Sequence, residues 1–117
     1  MYQLIAKWTI LPGKESEAVA ALKKLAVQVK EEEPDTLIYL VNTPDFAQTN
    51  LPIPYVGTVT FFEGYKNKEA FLAHLNGKAS TGFVKAHGDL FLQSNGQAFV
   101  IVETLTHQAG FIRSTEV

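Results

Sequence analysis

The sequence predicts an α+β fold with the element order β-α-β-β-α-β, in which a four-stranded antiparallel sheet carries two helices on one face. Three observations predict it. Residues 2–11 are apolar or β-favouring at nearly every position, with Tyr2, Leu4, Ala6, Trp8 and Ile10 on one face. Ala18, Val19, Leu22, Leu25, Ala26 and Val29 then recur at helical spacing. Finally, the run from Val59 to His74 passes from strand to helix across Lys66-Asn67-Lys68. A chain of 117 residues accommodates one such domain and one core.

Each element has a local cause. The first strand ends at Pro12-Gly13, and Glu15 and Glu17 sit in the first turn of the helix, where carboxylates suit the macrodipole. Glu31-Glu32-Glu33 places like charges at the negative end of that helix, a locally unfavourable run that reads as a solvated terminus before Pro34. Thr36–Val41 is a strand. Residues 42–54, with Pro44, Pro52 and Pro54, form a long loop of the kind used as a lid or binding loop, or an ordinary surface excursion. Tyr55–Glu63 is the third strand, with Tyr55, Gly57, Val59, Phe61 and Glu63 on one face and its end at Gly64. The second helix carries Ala70, Phe71, His74 and Leu75, weakens around Gly77 and Gly82, and resumes with Phe83, Val84, His87, Leu90 and Phe91. Ser94-Asn95-Gly96 turns the chain into a last strand, Gln97–Thr106. This is the ferredoxin-like order. Trp8, Phe61 and Phe99 cannot all share the helix side with the remaining apolar positions, so the opposite sheet face is expected to be covered by a second copy. The tail after Gln108 keeps Phe111 and Ile112 and is expected to dock on its own domain or on a partner's.

Composition narrows the function. Hydrophobic residues make up 46% and charged residues 19%, as in ordinary globular proteins. The net charge of −2 and the scattered lysines supply no basic stripe for phosphates, which argues against nucleic acid as a partner. The absence of cysteine removes disulfides, a thiol nucleophile and thiolate-bound metal. The start lacks signal-peptide character and no apolar run is long enough to span a bilayer, so a cytoplasmic protein without membrane contact is expected. The three histidines lack a paired metal-binding spacing, no Gly-rich phosphate loop follows a strand, and no nucleophile elbow is present.

What remains is an apolar pocket with imidazoles and phenols. His74 lies on a stripe that should face the core. It is either a core-edge histidine bonded to backbone or an acid or base between helix and sheet. His87, in the next stripe and beside Gly88, carries the same two readings, with room for a planar ligand. His107 is expected to be solvated. Tyr39 and Tyr65 are packing residues or a stacking, hydroxyl-bearing wall. Glu63 forms a salt bridge, caps the following helix, or orients a histidine.

Three stretches carry a resemblance: Pro12-Gly13-Lys14-Glu15; Glu33-Pro34 followed by Leu37-Ile38-Tyr39; and Glu63-Gly64-Tyr65 with Glu69-Ala70-Phe71-Leu72-Ala73-His74. Spanning Leu4 to about Leu105 in order, the chain resembles the antibiotic biosynthesis monooxygenase family, small dimeric α+β-barrel proteins. The resemblance implies a domain over 1–107, with 108–117 a C-terminal tail. It implies a homodimer that uses O₂ to oxygenate a phenolic, hydroquinone or anthrone-like substrate without flavin, haem or metal. His74 matches the family's helix histidine and becomes the expected base. Tyr65 stands where many members carry tryptophan, and Tyr39 matches the aromatic after the Glu-Pro turn, completing the expected catalytic set. Trp8, Phe71, Phe83, His87 and Glu63 are the expected substrate pocket. Phe83-Val84-Lys85-Ala86-His87 also resembles a haem-degrading branch of the same fold, in which His87 would ligate haem. Ala6 and Tyr65 depart from that branch's asparagine and tryptophan. A ligand-binding dimer without catalysis is the third reading.

Overall fold

The computed structural model describes residues 1–48 and 50–113; Thr49 in the long loop and the last four residues of the tail, 114–117, lie outside that range. Strand β1 (Tyr2–Thr9) leads to helix α1 (Glu15–Glu32), then β2 (Thr36–Asn42) and β3 (Thr58–Tyr65). Helices α2 (Lys68–Asn76) and α3 (Lys78–His87) follow, then a 3₁₀ turn at Gly88–Leu90. The short strands β4 (Gln93–Ser94) and β5 (Gln97–Ala98) form a hairpin, and β6 (Ile101–Leu105) ends the domain. The main sheet has the antiparallel order β2-β3-β1-β6, the ferredoxin-like arrangement. No helix among the described residues is long and apolar enough to cross a membrane.

Register decides which residues can meet. Across the helix-facing side run two rows, Tyr39–Glu63–Leu4–Thr104 and Val41–Phe61–Ala6–Val102. Because successive strand residues alternate faces, Val59, Phe61, Glu63 and Tyr65 all point at the helices. Trp8 and Phe61 share that side, with ring centroids 6.1 Å apart. Ala6, opposite Phe61 on β1, leaves room for both rings. Phe99 is largely exposed. The open sheet face instead carries Ile5, Ile38, Leu40, Phe62 and Ile101.

Helix α1 buries Ala18, Leu22, Leu25 and Val29 of the predicted stripe and adds Ala21, whereas Val19 and Ala26 are only half-buried. Three further differences from the sequence reading have local causes. Strand β3 continues through Gly64 to Tyr65. Glycine there does not break the strand but lets Met1 and Ile38 pack close on the open face, where a Cβ would lie 2.6 Å from the Met1 sulfur and 3.3 Å from Ile38 Cβ. The second helix is two helices, α2 and α3, parted at Gly77, whose backbone is extended (ψ 163°). Asn67 starts α2 as its N-cap, its side-chain oxygen accepting from the Ala70 N–H at 2.9 Å. The final strand is interrupted: Asn95 and Gly96, both with positive φ (56° and 77°), make the two-residue turn that folds β5 back onto β4.

The tail keeps Phe111 79% exposed, and it borders a recess on the open face with Met1, Gln3, Ile38 and Phe62.

Candidate functional site

Between the sheet and the helices lies a cavity of about 250 Å³. Its walls are mostly apolar and aromatic: Trp8, Phe61, Phe71 and Phe83 with Leu4, Leu25 and Val102. The hydroxyl-, carboxyl- and imidazole-bearing residues on it are Tyr39, Glu63, His74 and Ser80. Volume of this size, at roughly 30 Å³ per water molecule, suits a small aromatic ligand, from a single ring to a compact fused-ring system.

Each of those groups is placed by its element. His74 is buried because it shares the inward face of α2 with Phe71, one turn away. Its Nδ1 lies 2.7 Å from Glu33 Oε1, and its Nε2 lies 3.1 Å from Ser80 Oγ and 4.0 Å from Glu63 Oε1. Ser80 and Glu63 border the cavity while Glu33 does not, so the Nε2 edge of the ring is its cavity side. The Nδ1 edge faces a second, acid-lined recess with Glu32, Glu33 and Asp35. The imidazole therefore stands as a partition between the two spaces.

Glu33 is the residue the sequence reading missed. It is not a solvated end of α1: it turns inward at the C-cap, where its Oε1 accepts from the Thr36 hydroxyl at 2.9 Å and lies 2.7 Å from His74 Nδ1. Its Oε2 is buried without a hydrogen-bond partner among the described residues. Ser80, in the stretch where the helix was expected only to weaken, was missed as well.

The tyrosines play different parts. Tyr65 is fully buried, does not border the cavity, and donates its hydroxyl to Glu63 Oε1 in a short hydrogen bond. Burial, and then the Glu63 charge, push its pKa far above the ordinary phenol value, so it remains a proton donor. Tyr39 borders the cavity with its ring centroid 5.5 Å from that of His74, and burial likewise pushes its hydroxyl up. Glu63 is raised by burial, opposed by the Tyr65 hydrogen bond and the His74 ring.

That last shift has a testable consequence. A carboxyl whose folded pKa is raised contributes stability that is complete below its ordinary value of 4.5 and is lost as pH rises through the folded value. Glu63→Gln keeps an acceptor for Tyr65 and cannot ionise. Its melting temperature should match that of the parent protein at acid pH and exceed it by a few degrees at neutral pH. Thermal melts across that range check it, and a parallel pair of curves would contradict it.

His87 stands apart. It is half-buried against Phe83, with ring centroids 5.4 Å apart, and is not among the residues bordering the cavity. A porphyrin exceeds a drug-sized ligand, and sites for drug-sized ligands start near 300 Å³. The cavity and His87 together do not fit haem. Among the described residues no group of three or more His, Cys, Asp or Glu side chains could hold a metal ion.

Comparison with known proteins places this geometry. The family model described as antibiotic biosynthesis monooxygenase matches residues 1–86. Among solved structures, a candidate antibiotic biosynthesis monooxygenase from Caulobacter crescentus superposes with a TM-score of 0.71 at 19% identity, over 92% of this chain and 90% of that one. A second such candidate, from Deinococcus radiodurans, gives 0.69 at 17% identity, over 96% of this chain and 99% of that one. Rv0793 from Mycobacterium tuberculosis gives 0.68 at 17% identity, over 93% and 98%. At such identities these neighbours speak to the fold. No curated protein sequence matches the chain.

Proposed function

The chain belongs to the antibiotic biosynthesis monooxygenase family, and from that premise we propose that it is a cofactor-independent monooxygenase acting with O₂ on a small phenolic, hydroquinone or anthrone-like substrate. The observation that carries the proposal is the Nε2 edge of a buried imidazole on a cavity whose walls are mostly apolar and aromatic.

In this reading His74 takes the phenolic proton, within reach of a hydroxyl that replaces Ser80 at Nε2. The Glu63 carboxylate, 4.0 Å from Nε2, stabilises the imidazolium that forms. Tyr65 holds Glu63 by its short hydrogen bond and is a positioning residue. Trp8, Tyr39, Phe71 and Phe83 flank the ring of the substrate and exclude water from its anion. The anion passes one electron to O₂, and the radical pair joins at carbon as a peroxide anion, which takes the proton back from His74 to become the hydroperoxide. That carbon then loses its remaining hydrogen as a proton while the O–O bond breaks, leaving C=O and releasing water. One oxygen atom enters the product and the other leaves as water, with all four electrons drawn from the substrate. A second copy covering the open sheet face, with the described part of the tail, residues 108–113, docked against it, completes the proposed assembly.

The test is oxygen uptake by chelator-treated protein with hydroquinones, dihydroxynaphthalenes and anthrones, measured above the autoxidation background. Uptake with at least one of them is the expected result. Saturable binding of these compounds without uptake would replace the enzyme with a ligand-binding protein.

A further inference from the structure

We propose that Glu33 is the positioning residue that locks His74 in its Nδ1–H tautomer, leaving Nε2 bare toward the cavity, with the Ser80 hydroxyl donating to it until a substrate hydroxyl takes its place. The inference rests on the reading of His74 as the base and adds two residues to it, Glu33 at Nδ1 and Ser80 at Nε2.

Glu33 breaks a local rule of helix electrostatics. A glutamate at the C-terminal end of α1, next to Glu31 and Glu32, opposes both the helix dipole and its neighbours. Moreover, Glu33 is turned inward, with Oε2 buried and unpartnered. Such a cost is retained where the carboxylate performs a task that a solvated one could not. The task is visible in the pairing: Oε1 lies 2.7 Å from the Nδ1 of a ring 41 residues later, and Thr36 donates to the same oxygen at 2.9 Å. Two donors on one oxygen fix the carboxylate in a single orientation, and the carboxylate fixes the ring. Which nitrogen of an imidazole carries the proton is set by the hydrogen bond that the other nitrogen makes. A carboxylate at Nδ1 therefore keeps the proton there and leaves Nε2 as the acceptor.

The groups facing His74 from every packed element agree with this assignment. Thr36 lies behind Glu33 on β2, Tyr39 flanks the ring from the same strand, and Tyr65 and Glu63 flank it from β3. Glu63 is already engaged by the Tyr65 hydroxyl and stands 4.0 Å from Nε2, beyond hydrogen-bond reach. Ser80 at 3.1 Å is the group within hydrogen-bond reach of Nε2, and its hydroxyl can turn to donate. Because Ser80 borders the cavity, a phenolic hydroxyl can displace it without moving the ring.

Long-range proton–nitrogen correlation spectra of the full chain, labelled with ¹⁵N in histidine, test this directly at a pH where the ring is neutral. The expected result is a protonated Nδ1 and a bare Nε2 for His74. In Glu33→Leu, which removes the acceptor at similar size, the proton should move to Nε2. In Glu33→Gln, which keeps an acceptor oxygen, it should remain on Nδ1. A protonated Nε2 in the unsubstituted protein overturns the proposal, and that measurement needs no variant to fold. An unchanged tautomer in Glu33→Leu overturns it too. The spectra need no turnover, so absent oxygen uptake beside the expected tautomer would defeat the oxygenase alone. Uptake beside a protonated Nε2 would defeat the positioning role alone.

Discussion

His74→Asn should lower turnover of an accepted phenol by about 10²–10⁴-fold, the range for loss of a positioned acid–base group, while leaving the fold in place. The asparagine amide reaches the region of the ring's Nδ1 and can still donate to Glu33, whose Oε1 sits 2.7 Å from that atom. What it lacks is any basic nitrogen on the cavity side. The loss should fall on kcat more than on KM, since the aromatic walls that hold the substrate are untouched. His74→Ala is a poorer instrument. It strips the donor from a buried carboxylate that already has one unpartnered oxygen, at a cost of about 1–3 kcal/mol, so lost activity would be mixed with lost fold. Turnover of His74→Asn equal to that of the parent protein would remove His74 from the chemistry. Circular dichroism melts of both variants separate the two effects.

The contrast between Glu33 and Glu63 shows what the sequence could and could not convey. Glu63 stands in a strict alternation with Val59 and Phe61, so the side it faces follows from parity alone, and its strand carries it inward. The inward face of β1 and the helical stripe of α1 were legible for the same reason: both are periodic, and periodicity is a local property. Glu33 has no such signal. Within its own neighbourhood it is one of three like charges beside a proline, and only a partner 41 residues away gives it a role. Gly64 misled in the same manner, because the sulfur and side chain that need its missing Cβ come from Met1 and Ile38. Ser80 sits where the helix was read as fading, and its relation to His74 depends on the angle at which α3 leaves Gly77. The elements, their order and the aromatic lining were therefore readable. The hydrogen bonds that give His74 its direction were not, because they form only when α1, α2 and α3 pack.

Phe61→Ala should cost about 3–5 kcal/mol, a large share of the roughly 5–15 kcal/mol that holds a domain of this kind together. Phe61 is 2% exposed and sits at the centre of the helix-facing sheet, its ring centroid 6.1 Å from that of Trp8 and 5.8 Å from that of Tyr39. It is also a wall of the 250 Å³ cavity, so here the core and the binding site are one set of side chains. That identity makes a second, milder change more informative. Phe61→Leu keeps a branched apolar group and should cost less, and the space that the ring vacates adjoins the cavity rather than a sealed interior. If the surrounding aromatics hold their places, acceptance should shift from one-ring hydroquinones toward two- and three-ring phenols. If Trp8 and Tyr39 collapse into the gap, stability should be largely recovered and the preference should not change. Urea denaturation read beside relative kcat/KM over the substrate panel distinguishes these. A destabilised Phe61→Leu protein with an unchanged substrate order would show that the ring supports the core without bounding the site.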